Sequence, residues 1–305
     1  MIRLAVRVKR AQAELVLAEL LELAPAGVEE AELAGGMVEY AVYGAAGEIP
    51  SLPDLRAAAG DALVEISTSE TADDWGERWR QFHRPVLIDA PRGASEPSRQ
   101  VPALCVRPPW ESDVPAASGP LQEIVIDPGQ AFGTGGHATT RLCLELLLEL
   151  TSHEPELGRV IDVGTGSGVL AIAASRLGFA PVLALDHERE SVEAARVNAA
   201  VNGADVEVRR FDLRTEALPW LDGAGDSAPA TVVLANLLLP LLLELSRTMQ
   251  HPPAQMIVSG LLCEQVDEVV AAFGERFGLR ERRRLEDGEW AAALLAAGNG
   301  KRRPS

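Results

Sequence analysis

Cysteine is scarce. Cys105, Cys143 and Cys263 are odd in number, lie far apart and form no CxxC pair, which excludes a disulfide framework and a cysteine zinc site. They read as small buried hydrophobes. His83, His137, His153, His187 and His251 are equally scattered, so no metal centre is expected. Long apolar runs are also missing: the stretch from Leu237 to Leu243 contains Pro240 and stops at Glu244, far short of the roughly 20 residues of a membrane span. Positive charge is in deficit. A net charge of −17 opposes the counterion-release binding that holds a nucleic-acid backbone, so neither nucleic acid nor membrane is expected as a partner, and a basic protein is. The basic clusters Arg282-Arg283-Arg284 and Lys301-Arg302-Arg303 read as a solvated strand edge and a disordered terminus. The opening MIRLAVRVKR places charges where a secretory signal needs an apolar run, and a cytoplasmic location is the expectation.

What is present is a chain of 305 residues, 47% hydrophobic, long enough for one large domain and a small one. Its start reads βαββαβ: strand Ile2 to Val8, helix Ala11 to Leu23, strands near Val28 to Leu33 and from Met37 to Tyr43, helix Leu52 to Ala59 and strand Leu63 to Ser67. Leu15, Leu17, Leu20, Leu21 and Leu23 supply the near-helical spacing, and Leu4, Val6 and Val8 the alternation. This order predicts a small α+β, ferredoxin-like domain over 1–68. A linker helix over 69–84 follows, with Trp75, Trp79 and Phe82 on one face, expected to pack on the larger domain. Ala90 to Val101 reads as a loop between short strands, with Trp110 anchoring the return, and 298–305 as a disordered tail.

Over 85–297 the pattern becomes alternating α/β. Strand Glu123 to Asp127, helix Thr139 to Leu150, strand Arg159 to Val163, helix Gly168 to Leu177, strand Pro181 to Asp186 and helix Arg189 to Asn202 come first. Strands near Val206 and Val232, helix Leu238 to Met249, strand Met256 to Ser259, helix Cys263 to Arg276 and two closing strands complete it. Such alternation predicts a mostly parallel sheet with helices on both faces and a ligand at the carboxyl ends of the strands.

The run Val160 to Gly168 ends an apolar strand in Gly164, Gly166 and Gly168 and then opens a helix, with Asp186 closing the next strand. Bare backbone there admits a ligand closely. A dinucleotide fingerprint wants a small residue three positions after the second glycine, and here that place is Val169. The GxGxG spacing and the following acid instead resemble the S-adenosylmethionine turn of Rossmann-like methyltransferases, with Asp186 accepting the ribose hydroxyls. The loop DPGQAFGTGGHATT, residues 127 to 140, reads as a lid over that cofactor, with Phe132, Gly133 and Thr134 against it. Thr140 is either a ligand contact or a hydroxyl bonded within its own helix. His137 is a candidate proton acceptor, with a structural histidine as the alternative. Asn236, where an apolar strand meets a helix, can hold an amine's proton or the cofactor's amino-acid end, or else cap the helix. Leu237 and Leu238 stand where enzymes that methylate base or glutamine amides carry two prolines, which argues against those acceptors.

Together with DDWGERWRQFHRPV (73 to 86), PPWESDVP (108 to 115), ALDHERESVEAARVNAAVNG (184 to 203), VVLANLL (232 to 238) and VSGLL (258 to 262), these segments resemble the bacterial ribosomal protein L11 methyltransferase family, the PrmA type. The resemblance implies a seven-stranded Rossmann-like methyltransferase sheet. It also implies methyl transfer from S-adenosylmethionine to the α-amino group and lysine side chains of ribosomal protein L11, docked by the small N-terminal domain. By motif position, the cofactor contacts would fall on Thr140, Gly164, Asp186 and Asn236. A lysine methyltransferase acting on another protein, a small-molecule methyltransferase, a nonenzymatic nucleoside-binding module and a dinucleotide dehydrogenase are the competing readings.

Overall fold

The computed structural model describes residues 2–10, 16, 20, 28–33, 36–44, 63–70, 83–89, 99–114, 119–128, 133–154, 156–219 and 231–297. The chain divides into two compact units, Met1–Phe82 and His83–Ser305.

In the first unit, strands β1 (Ile2–Lys9), β2 (Glu29–Leu33), β3 (Met37–Gly44) and β4 (Leu63–Glu70) form an antiparallel sheet in the order β2-β3-β1-β4. This is the order that a split βαββαβ chain produces. Leu4, Val6 and Val8 alternate onto one face and pack with Val16, Leu20, Val38 and Tyr40. Val16 and Leu20 are helical and four residues apart, one turn along the helix expected there. The opposite face carries Arg3 and Arg7, both hydrogen-bonded to the buried Glu39 at 2.6 Å. Those bonds hold the Glu39 carboxyl below its usual range. The remainder of that helix, the helix Leu52 to Ala59 and the linker segment with Trp75, Trp79 and Phe82 lie outside the described residues.

The second unit opens with a three-stranded sheet, β5 (Val86–Ile88), β6 (Ala103–Arg107) and β7 (Leu121–Val125), with β5 antiparallel and β7 parallel to β6. Strand β7 therefore does not belong to the large sheet, whose alternation it was expected to begin. Helix α1 (Ala138–His153) follows, then β8 (Arg159–Val163), α2 (Val169–Leu177), β9 (Val182–Asp186), α3 (Arg189–Val201) and β10 (Glu207–Arg210). The chain continues through β11 (Thr231–Asn236), α4 (Leu239–Thr248), β12 (Gln255–Leu262), α5 (Val266–Phe277), β13 (Leu279–Asp287) and β14 (Trp290–Ala297). Strand β12 runs three residues beyond its expected end, and a short 3-10 turn at Cys263–Gln265 precedes α5. The helix expected from Cys263 thus begins later.

Seven strands form the large sheet in the order β10-β9-β8-β11-β12-β14-β13, all running the same way except β14, which pairs antiparallel with both of its neighbours. Both faces of the central strands are covered, so β8, β9 and β11 are almost wholly apolar, whereas the edge strands β10 and β13 carry exposed charges. Val160, Val182, Ala184 and Leu234 meet the helices α1, α2 and α3, whereas Ile161, Leu183, Leu185 and Val233 meet α4 and α5. Each fully buried Val, Leu or Ile contributes about 1.5–3 kcal/mol relative to exposure. From β8 the chain winds outward through β9 and β10, and then crosses to β11 and β12 on the other side. Between the carboxyl ends of β8 and β11 the two directions of winding diverge and leave a crevice. Among the described residues, no helix is long and apolar enough to cross a membrane.

Candidate functional site

A cleft of about 500 Å³ opens at that crevice, within the range of nucleoside-sized ligand sites. Its floor is the β8–α2 turn. Gly164 has φ +72°, and a Cβ there would lie 2.3 Å from Leu237 Cδ2, so the bare backbone lets Leu237 pack against the turn. Gly168 starts α2 in the left-handed region without a side-chain cap. The ends of β9 and β11 bring Asp186 and Asn236 to the same cleft, and α1 brings Thr140. Gly133 and His137 line it as well. The sequence-predicted residues Thr140, Gly164, Gly166, Asp186, Asn236, Gly133 and His137 are thus brought together. Gly168 and Thr134 lie beside this lining without belonging to it. Phe132 lies outside the described residues.

Asp186 is 8% exposed and already tied to the turn. Its Oδ2 accepts the Gly166 N–H at 2.9 Å and its Oδ1 accepts the Glu188 N–H at 3.0 Å. Each carboxylate oxygen retains a further lone pair for a ligand hydroxyl.

Asn236 is not a helix cap: α4 starts from Leu238, with no capping side chain. The Asn236 Nδ2 donates to Thr140 Oγ1 at 3.5 Å, and its Oδ1 is buried without a hydrogen-bond partner. An unsatisfied buried carbonyl costs about 1–3 kcal/mol, and one that lines a cleft is a place where a ligand N–H recovers that energy.

His137 is the N-cap of α1. Its Nδ1 accepts from the Thr139 N–H at 3.3 Å and lies 2.8 Å from Thr139 Oγ1, and its ring meets the Trp290 ring edge-on at 4.9 Å between centroids. Burial, then the Arg141 charge, push its pKa below the ordinary histidine range. A neutral ring that spends the Nδ1 lone pair on the cap presents Nε2–H to its surroundings, which is a donor and not a base. The geometry supports the structural alternative for His137.

Several participants carry no local sequence signature. Beneath the turn, Asp162 is fully buried. Its Oδ2 accepts from Thr165 Oγ1 at 2.6 Å and from the Ala171 N–H at 3.2 Å, while its Oδ1 has no partner. Gly260, φ +82°, sits at an irregularity of β12 against the backbone of Leu237. Trp290, the first residue of β14, forms part of the wall. Asn198 on α3 and Asn202 at its C-cap reach across to the loop after β7 and to β7 itself. An Asn four residues before another on an otherwise apolar helix face is the signal that would have found them. Among the described residues, no three or more His, Cys, Asp or Glu side chains converge as a metal site. Cys105 and Cys143 are buried, and Cys263 is half-buried.

Burial pushes the Asp162 carboxyl up to about 7, against the pull of the Thr165 and Ala171 hydrogen bonds and with a further push from the Asp186 charge. The native carboxyl keeps its proton at pH values where the unfolded one, near 3.9, has lost it. Its contribution to stability is therefore complete below about pH 4 and is lost as pH rises toward 7. Asp162→Asn, uncharged at every pH, is expected to gain on wild type by on the order of 2–4 kcal/mol between pH 4 and pH 7.5. Urea unfolding at the two pH values measures this, and a constant difference between the proteins contradicts it.

A family model described as ribosomal protein L11 methyltransferase (PrmA) matches residues 56–297. A ribosomal protein L11 methyltransferase of Heliobacterium modesticaldum is 37% identical over 228 residues, which are 73% of this chain and 63% of that protein. One of Geobacter sulfurreducens is 38% identical over 248 residues, 80% of this chain and 73% of that protein. The crystal structure of a ribosomal protein L11 methylase from Lactobacillus delbrueckii subsp. bulgaricus superimposes with a TM-score of 0.52 at 32% identity, covering 69% of this chain and 98% of that one. With the sheet order and the cleft described above, the match over 56–297 places this chain in the ribosomal protein L11 methyltransferase (PrmA) family.

Proposed function

We propose that this protein transfers methyl groups from S-adenosylmethionine to amino groups of ribosomal protein L11, both the α-amino group and lysine side chains. The observation that carries the reading is the joint presence, in one cleft, of a glycine floor, a carboxylate bonded to that floor and a buried carbonyl oxygen without a partner. The residues fit the cofactor: the Asp186 oxygens match a pair of ribose hydroxyls, and the orphaned Asn236 Oδ1 offers an acceptor to a ligand N–H. Gly164, Gly166 and Gly168 would border it with backbone, Asp186 would hold the sugar, and Thr140 and Asn236 would meet the amino-acid end. Phe132, Gly133 and Thr134 would cover it. When bound, it supplies an electrophilic methyl group on a positively charged sulfur.

The chain's own task is to bring a neutral amine in line and keep water away. A lysine ammonium at pH 7.4 costs about 4 kcal/mol to deprotonate, an α-amino group under about 1 kcal/mol. The apolar wall of Leu237, Leu238, Leu241 and Trp290 disfavours the charged form, and the Asn236 Oδ1 accepts a hydrogen bond from the neutral amine. The net charge of −17 favours a basic protein as partner. We assign the docking of that partner to the first unit, with residues 1–68 as the core of its recognition domain and 85–297 as the methyltransferase domain.

Purified protein incubated with methyl-labelled S-adenosylmethionine and total ribosomal proteins is expected to label L11, with mass spectrometry locating methyl groups on its N-terminus and lysines. Label on another protein instead favours a different lysine substrate. Cofactor binding with no transfer to any protein favours a nonenzymatic module.

A further inference from the structure

Two side chains outside the ligand-facing set join the glycine turn to the loop between β7 and α1. Ser167 is 0% exposed, and its hydroxyl donates to the Gly133 carbonyl at 2.6 Å while accepting the Val169 N–H at 3.3 Å. Asn198, 3% exposed, donates from Nδ2 to the Ser167 carbonyl at 2.8 Å and accepts the Asp127 N–H on Oδ1 at 3.2 Å. The donor on one side and the acceptor on the other fix which way the amide points. Gly133 comes so close that a Cβ on it would lie 3.0 Å from Ser167 Oγ. The chain Asp127–Asn198–Ser167–Gly133 thus pins the loop at two points, one on each side of its centre, and it does so through the residue next to Gly166. Gly133 and Gly166 both line the cleft, and Asp186, at the end of β9 just before the helix that carries Asn198, is bonded to Gly166.

Resting on the cofactor reading above, we infer that Ser167 and Asn198 are positioning residues that set the height of the Gly133 segment over the glycine floor, and with it the affinity for S-adenosylmethionine. Neither touches the ligand. Each acts by holding main chain that does. A pinned wall meets the ligand already ordered, whereas a released wall must be ordered at binding, which weakens affinity without altering the reacting atoms.

Asn198→Asp keeps the acceptor toward Asp127 and loses the donor toward the Ser167 carbonyl. Ser167→Ala loses the bond to the Gly133 carbonyl and the acceptor for the Val169 N–H at the start of the following helix, introduces no charge, and is the milder change, suited to a protein that must still fold. Met249→Ala truncates a fully buried side chain on the α4/α5 face, outside the cleft lining, and reports what general destabilisation alone does. Calorimetric Kd for S-adenosylmethionine, melting temperature, and KM and kcat with L11 are measured for all four proteins. Ser167→Ala is expected to raise Kd and KM for the cofactor about 3- to 10-fold, and Asn198→Asp by more than about 10-fold, with kcat at saturation retained. Met249→Ala is expected to lower the melting temperature and leave Kd at the wild-type value. A wild-type Kd in Ser167→Ala, or an equal weakening in Met249→Ala, overturns the inference while the function stands. Wild-type protein that takes up no S-adenosylmethionine removes the function itself, and the inference with it.

Discussion

Asp186→Ala is expected to abolish measurable binding of S-adenosylmethionine while the protein still folds. The two oxygens of Asp186 are held by the N–H groups of Gly166 and Glu188, so the carboxylate stands in place before any ligand arrives. Two hydrogen bonds to a charged acceptor contribute about 1.5–3 kcal/mol each, and their joint loss corresponds to roughly 10²–10⁴ in Kd. The Ala variant also frees the two N–H groups, which turn to solvent at the mouth of the cleft. Asp186→Asn is expected to fall between wild type and Ala, because the amide retains one acceptor oxygen. Isothermal titration at matched folded fraction, monitored by circular dichroism, decides. Undiminished binding by Asp186→Ala removes the assignment of this cleft to a nucleoside.

Gly260→Ala is expected to be the most damaging single-methyl change in the second unit. A Cβ at this position, with φ +82°, would lie 2.5 Å from the Leu237 carbonyl oxygen, 2.8 Å from its carbon and 3.0 Å from its nitrogen. These are backbone atoms with no rotamer to adopt. The Leu237 N–H is bonded to the Ser259 carbonyl at 3.0 Å, so the segment moves away only by breaking that bond and drawing Asn236 with it. Overpacking of this kind costs about 1–3 kcal/mol, and the left-handed backbone adds about 1–2 kcal/mol for a residue with a Cβ. A displacement of Asn236 near 1 Å lowers kcat by about 10²-fold. Gly203→Ala serves as the comparison: its φ is +56° but nothing lies within 4 Å of the added carbon. It carries the backbone cost alone, and its activity is expected to match wild type. Equal loss of activity in the two variants contradicts the account. At Gly164 the obstacle is the tip of the Leu237 side chain, which can turn aside, so the effect there is smaller.

The parts of this molecule that were legible in its sequence are those written in neighbouring residues. The β8–α2 turn announces itself because glycine has no substitute where backbone bends that sharply, and Asp186 follows one strand later. The helices and strands of the second unit read correctly wherever an apolar run has a clear period, with ends displaced by a few residues. What was not legible depends on residues far apart in the chain. Strand β7 has a strand's composition, but its partner is β6, and nothing local distinguishes that from the large sheet. Asn198 bonds to Asp127, 71 residues away, and Asn202 to Val125, 77 away. Their four-residue spacing is local, but the loop and strand they bond are not. Asn236 was visible as a polar residue at a strand end, yet only packing shows that its amide nitrogen is directed to Thr140 and its oxygen is left over. The same holds for His137, read from the sequence either as a proton acceptor or as a structural residue. Its titration range was legible and its task at the head of α1 was not.

Strand β14 lies between β12 and β13 in the sheet although it follows both in the chain. Until it inserts, β12 has an open flank and β13 has nothing to pair with. Trp290, part of the cleft wall, arrives on this strand. A chain without this strand therefore lacks one side of the cleft. The enclosure is finished by the strand that is threaded between two earlier ones.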